Sequence, residues 1–393
     1  MRGRRYAAAC LAAVLLPGLC SGCAGNTVYT QLRDVESLEL VRTVGVDREE
    51  QVTVTVVTGL SAGGDAPITL QEQGATLAEA MHMLEQSASR RRPFYSHTEY
   101  LVLGQSAAEA GILGYLDYFG RMLEMRTDTG VYLVRDGDAA PVLHSVCGGK
   151  DGGDRILAFL KEDLPRTGQG YVATCLETAV SLERYGCALV MAIRLRPGEE
   201  PDAVQVRPAG FGVLENGRLT AFLSDAESRG VCVLQNRVRE MALVTDDGQG
   251  GKISLQLGPV RTAIVPVFAN GALVRLDAQI RSTANITEMA SRRSAEDPAV
   301  RARIASQVEE QLTKWAQAAV DCAQRMGLDF LALGGAAARK APVRFAAVQA
   351  AWPEVFPKLD VAVTAQVEVI RSYDMDAPLS GGPMRRNAET GEA

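Results

Sequence analysis

Two β-branched runs, residues 38–46 and 52–58, flank the charged turn Asp47-Arg48-Glu49-Glu50, and their pattern predicts an antiparallel hairpin. A loop containing Gly, Ser and Pro follows at 59–69. Thr76 and Glu79 then form a capping box ahead of a helix with Leu77, Met81, Leu84 and Ala88 on one face. A strand is expected at 98–103. Ser106 with Glu109 repeats the capping signature before Ile112, Leu113, Leu116 and Phe119, and Val131 to Val134 reads as the next strand. The order is β-β-α-β-α-β. Residues 146–170 are glycine-rich, with one helix-like patch near Asp154 to Leu160, and read as a connection. After an apolar strand at 187–195, the charged, Pro-containing stretch 196–202 predicts a domain boundary.

The second half is more regular. Residues 210–214 and 218–223 flank Asn216-Gly217, a strong hairpin signal, and Ser224 with Glu227 is a third capping box. Strands are expected at 252–257, 261–268 and 273–287. The last sets Val274, Leu276, Ala278 and Ile280 against Arg275, Asp277, Gln279 and Arg281, so one face is buried and one is wet. Asp297-Pro298 opens a helix whose Val300, Ile304, Val308, Leu312, Trp315, Ala319, Cys322 and Met326 recur every three or four residues until Gly327. An alternating strand, Val361 to Val369, closes the unit. The pattern predicts an α+β protein of several mixed domains, each a largely antiparallel sheet with packed helices: residues 23–200, a small middle domain 201–250, a β-β-β-α-β domain 251–378, and a tail 379–393.

Composition narrows the class. The chain has 393 residues, 47% of them hydrophobic and 22% charged, which suits a packed core and not a disordered chain. No apolar run approaches the roughly 20 residues of a spanning helix. With 41 basic against 47 acidic residues there is no excess of cations for phosphate contacts, so nucleic acid is not an expected partner.

Residues 1–22 read as an export signal. Arg2, Arg4 and Arg5 precede an apolar stretch from Tyr6 to Leu19, and Ser21-Gly22 lead into Cys23, matching the end of a bacterial lipobox. Cys23 is therefore the candidate lipid-attachment residue; Cys20 stands where that pattern prefers Leu. A plain signal peptide cut near Gly22 or Ala24 is the alternative. Removing residues 1–22 takes three arginines and no acids, moving the net charge from −6 to −9. Five cysteines remain after Cys23, with wide spacings and no CxxC pair, and most read as buried small hydrophobes.

His82, His97 and His144 form no close metal spacing, there is no Gly-x-Ser-x-Gly elbow, and no cofactor or metal is expected. The run Asp246 to Lys252 fails as a phosphate loop, because Asp246 stands where the first glycine is needed and Ile253 where Ser or Thr would follow; a hairpin turn is the better reading. Asp151 and Asp154 are too short a motif for a calcium site.

Several segments, in order, resemble the Ger(x)C family of spore germination lipoproteins, the C subunits of nutrient germinant receptors. They are Arg33-Asp34-Val35-Glu36 with Gly45-Val46-Asp47, residues 74–80, His97 with Leu101 to Gly104, Ala110-Gly111-Ile112 with Leu116-Asp117 and Arg121, residues 214–219, and Trp352-Pro353. The family's tryptophan near residue 30 is absent, with Tyr29 or Leu32 in its place. The resemblance implies a noncatalytic, three-domain mixed α/β protein on the outer face of the spore inner membrane, held by lipid on Cys23 and assembled with polytopic A and B subunits. For Gly45, Asp47, His97, Arg121 and Trp352 the expected roles are in the fold: turn, strand end, buried hydrogen bond and core aromatic. The competing reading is an extracytoplasmic solute-binding lipoprotein of a transport system, which predicts a cleft between two similar lobes. A third, an exported hydrolase, needs a nucleophile and base in one pocket.

Overall fold

The structure is a computed structural model and describes residues 38–58, 67–88, 91–122, 124–147, 154–197, 204–246, 251–289 and 297–372. The signal segment, Cys23, Arg33 to Glu36, Asp151 and the tail 379–393 lie outside these residues.

The centre of the first sheet is set by continuous apolar runs. Strands β1 (Leu38–Arg48), β5 (Tyr100–Leu103), β6 (Gly130–Val134) and β7 (Cys187–Pro197) run parallel side by side. All four residues of β5 and all five of β6 are buried, as parallel strands covered on both faces require. Alternate side chains divide between two cores. Leu101, Leu103, Val131 and Leu133 face one, and Tyr100, Val102, Tyr132 and Val134 the other. Antiparallel strands flank the centre: β2 (Val52–Thr58) and β3 (Thr69–Gly74) on one side, β8 (Val204–Glu215) and β9 (Arg218–Phe222) on the other. With the short β4 (Arg92–Phe94) paired to β1, the sheet has nine strands among the described residues.

The predicted 38–58 hairpin forms, with Val46 opposite Val54. The first core is closed by α1 (Leu77–Ser87), α2 (Gln105–Ala110) and α3 (Leu113–Arg121). Thr76 caps α1 by accepting from Glu79 N–H. The Ser106–Glu109 box does not form: α2 begins at Gln105 after Gly104, and Glu109 accepts from the Gln105 side chain instead. Helices α4 (Ala139–Cys147) and α5 (Asp154–Thr167) cover the other face, so residues 154–167 of the supposed connection are ordered helix around buried Leu157, Leu160 and Leu164. Next comes α6 (Cys175–Tyr185), whose Thr174 and Glu177 make a full capping box.

Strand pairing runs across the boundary placed at 196–202. β7 and β8 form one long hairpin from Pro197↔Val204 to Cys187↔Glu215, which satisfies β7's free edge. The segment 201–250 therefore makes no sheet of its own. Its β8 and β9 extend the first sheet, whereas β10 (Met241–Asp246) pairs with β11 (Lys252–Leu257) of the second. Asp246 pairs with Lys252 across β10 and β11, and residues 247–250 between them lie outside the described residues.

In the second sheet the long β13 (Ala272–Met289) pairs antiparallel with β12 (Arg261–Ala269) and β11, and parallel with β14 (Asp360–Ser372). Both Asn-Gly turns carry positive φ at each residue, at Asn216-Gly217 and Asn270-Gly271, as a type I′ hairpin needs. The expected alternation holds from Leu276 onward. Val274, however, is 44% exposed, because an irregularity opposite Val267/Phe268 displaces it and leaves Leu273 on the buried face.

Helix α8 (Pro298–Met326) is capped by Asp297, which accepts from Ala299 N–H, and ends at Gly327 with φ 70°. Val300, Ile304, Val308 and Leu312 are buried against the second sheet and α7 (Asp225–Leu234), and the second core runs without a break from the first sheet into this layer. At Gly230 of α7 a Cβ would fall inside the Trp315 carbonyl, so this helix pair requires glycine there. Three short helices, α9 (Leu333–Lys340), α10 (Pro342–Gln349) and α11 (Trp352–Val355), lead into β14.

Candidate functional site

The residues singled out from the sequence do not converge. Asp47 accepts hydrogen bonds from Ala139 N–H (2.6 Å) and Ala140 N–H (2.9 Å) and so caps α4 from the end of β1. Burial pushes its carboxyl above the ordinary value against those two bonds. Gly45 lies under the same helix, where a Cβ would meet Leu143 at 3.0 Å. His97 is exposed, its ring 6.3 Å from Phe94, and Arg121 is exposed and paired with Asp117 on the same helix at 2.9 Å. Neither makes the buried hydrogen bond expected of it. His82 is exposed beside Gln86, and His144 is exposed on α4.

Trp352 leads to the site that geometry does build. After α8 ends, Asp329 is held 8% exposed. Its carboxylate accepts from Leu333 N–H and Gly334 N–H at 2.8 Å each, capping α9, and from the Trp352 indole N–H at 3.0 Å. Burial pushes the Asp329 carboxyl up to about 6 in spite of these donors. Between them Ala332 takes a left-handed conformation, φ 56°, a strained position for a residue with a Cβ. The Trp352 ring packs on Phe345 and Phe356, with centroids 5.2 and 5.5 Å away. It also covers Gly334, where a Cβ would lie 2.6 Å from the indole.

Facing this cluster is the corner where α6 turns into β7 through Gly186, φ 68°, which presents Arg184 and Tyr185. A cleft of about 910 Å³ separates the two sides, lined by Arg184, Tyr185, Glu215, Asp329, Arg339 and Trp352 among others. A second cavity of about 550 Å³ shares Tyr185, Asp329 and Arg339 with it. There the Arg237 guanidinium lies 4.6 Å over the Tyr171 ring and 3.5 Å from Glu177. The Tyr171 hydroxyl donates to Gln235 at 2.7 Å, and Gln235 donates to the Phe330 carbonyl at 3.0 Å.

These groups suit binding better than bond-breaking. Cys187 lines the smaller cavity, but burial pushes its thiol up to about 12, and the nearby carboxyl, Asp329, is already occupied by three donors. Burial also pushes Cys175 and Cys232 to about 12 and Cys322 to about 11. Cys175, Cys187, Cys232 and Cys322 are free thiols. Among the described residues no three His, Cys, Asp or Glu side chains are grouped to hold a metal, and no helix is long and apolar enough to cross a membrane. Sequence reasoning named Trp352 but missed Asp329, Tyr185, Arg184 and Arg339. The one local signal was the Thr174–Glu177 capping box that fixes the start of α6.

Two family models match the chain in order. Residues 31–169 match the spore germination protein N-terminal domain, and residues 209–373 match the spore germination B3/GerAC-like C-terminal domain. No curated protein matches the sequence. Among solved structures, the crystal structure of the GerBC protein is similar over 86% of this chain and 100% of its own length, at 18% identity and a TM-score of 0.56. At that identity the likeness is one of fold.

Proposed function

The chain belongs to the Ger(x)C family of spore germination proteins, and from that membership we propose that it is the noncatalytic, lipid-anchored C subunit of a nutrient germinant receptor, acting in receptor assembly or in transmission within it. The observation that carries this reading is the ordered pair of family matches, one in each half of the chain. The fold shared with GerBC supports it. Anchoring falls to Cys23, through a diacylglycerol thioether on the outer face of the spore inner membrane. One acyl chain binds a bilayer only marginally, whereas several hold it stably. The partners are polytopic A and B subunits.

The solute-binding alternative is not favoured. It calls for two similar lobes, yet one sheet runs β3-β2-β1-β5-β6-β7-β8-β9 around a parallel centre and the other is built on a single long β13 with partners on both sides.

Affinity isolation of the tagged chain from detergent-solubilised spore membranes tests the proposal, with Cys23→Ala alongside. Two polytopic chains are expected to co-elute, and the substitution is expected to release the protein from the membrane fraction. Elution alone, or with a permease and an ATPase, overturns the receptor reading. Unchanged membrane retention of Cys23→Ala overturns the anchor.

A further inference from the structure

The cleft between Arg184-Tyr185 and the Asp329–Trp352 cluster has the make-up of a ligand site. Its volume, about 910 Å³, falls within the range of about 300–1,000 Å³ usual for small-molecule pockets. On one side lies the half-buried Trp352 ring, backed by the buried Phe345 and Phe356. The deepest charge, Asp329, is fully used by two backbone N–H groups and the indole, so it offers a ligand nothing. What remains facing the cleft is two guanidinium groups, Arg184 and Arg339, and one carboxylate, Glu215, none with an ion-pair partner among the described residues. Cations therefore predominate in the cleft.

Gly334 and Gly335 lie in the wall of the cleft. A Cβ on Gly335 would sit 2.6 Å from the Tyr185 hydroxyl and 3.6 Å from Arg339 Nη1, so the absence of a side chain there lets a phenol and a guanidinium lie side by side against the helix. A planar guanidinium fork matches a carboxylate through two parallel N–H···O bonds, and a neighbouring hydroxyl adds a third donor.

We infer that this cleft binds a small organic acid, its carboxylate held by Arg339 with Tyr185 and Arg184 beside it, and its apolar body against the half-buried Trp352. The inference is independent of the receptor reading, since it rests on the cleft alone. Arg339 and Tyr185 set the preference for an acid, and Glu215 at the rim disfavours a second negative charge on the ligand.

The chain has two tryptophans, and Trp315 lies away from the cleft with Arg229 5.2 Å over its ring. A Trp315→Phe protein therefore reports on Trp352 by fluorescence. Titration with 3-phenylpropionate is expected to give a saturable change with a Kd of about 1 mM or tighter, and 3-phenylpropylamine none. Arg339→Gln should weaken the acid about tenfold, the loss of a charge-assisted hydrogen bond. Arg184→Gln is the second variant, expected to weaken it by about half as much on a logarithmic scale, and circular dichroism checks that both retain the fold. A linear response to the acid, equal responses to acid and amine, or undiminished affinity in both folded arginine variants overturns the inference.

Discussion

Replacing Asp329 by asparagine removes one ionisation and keeps the shape of the side chain, so comparing the two proteins isolates what this buried carboxylate does to stability. Its carboxyl is raised from 3.8 to about 6, first by burial, with the Gly334, Leu333 and Trp352 donors acting against the rise. At 1.36 kcal/mol per unit, a shift of about two units is worth about 3 kcal/mol. The group is only 8% exposed, so solvent screening removes little of it. The sign follows from which state holds the proton. Below pH about 4 the carboxyl is protonated in both states and the folded chain bears no ionisation cost. Between about 4 and 6 the unfolded chain ionises first while the native site keeps its proton, so stability falls as pH rises; above about 6 both are ionised and the loss is complete.

Urea unfolding of both proteins at pH 4, 5, 6 and 7 reads this directly. Wild type should lose about 3 kcal/mol relative to Asp329→Asn between pH 4 and 7, with most of the change below 6. Asp47, also raised by burial, and the three histidines are common to both proteins and cancel in the difference. A difference that stays flat with pH, or moves in favour of wild type as pH rises, refutes the reasoning. It would mean that the three donors outweigh burial and the native carboxyl lies at or below its ordinary value.

Three further perturbations test the packing. Thr174→Ala removes the capping box of α6, the helix that carries Arg184 and Tyr185, and should cost about 1 kcal/mol in thermal unfolding, with Thr174→Ser restoring most of it. Gly230→Ala drives a methyl group into the Trp315 carbonyl and within 2.8 Å of Ala319, so urea unfolding should show a loss of about 1–3 kcal/mol or more. Gly120→Ala, on the exposed face of α3 with nothing within 4 Å of its Cβ, should instead stabilise by about 0.5–1 kcal/mol.

The elements that were legible in the sequence are those whose information is local and periodic. The apolar stripe of α8 comes with its own start and stop, Asp297-Pro298 and Gly327, and each cap forms as the pattern implies. The Asn-Gly hairpins follow for the same reason, since the backbone conformation is dictated by the two residues that adopt it. The strands that went unread lack such patterns. Thr69–Gly74 is mostly polar because β3 is an edge strand with few buried positions, and Met241–Asp246 alternates over too short a run. At 196–202 charge, Pro and Gly accompany a hairpin between strands of one sheet as readily as a linker. Only the pairing of β7 with β8, a tertiary fact, separates the two.

The cleft was hidden for a stronger reason than weak patterning. Its walls come from residues 184–186, 215–216 and 327–356, which no sequence window joins. Each member also has an ordinary local meaning. Arg184 and Arg339 are basic residues in the last turns of α6 and α9, where the helix dipole favours cations in any case. Gly334 and Gly335 look like a weak spot in a short helix, until the structure puts Trp352 against one and the Tyr185 hydroxyl against the other. Asp329, four residues ahead of Leu333, is too far from the helix start to be read as a cap. It reaches back because Ala332 turns through a left-handed conformation, and that strain is held in place by the hydrogen bonds it makes possible. Trp352 was singled out as a core aromatic, and its ring does pack on Phe345 and Phe356. What gives the site its character is the indole N–H, which ties Trp352 to the buried Asp329 carboxylate and leaves both arginines uncommitted.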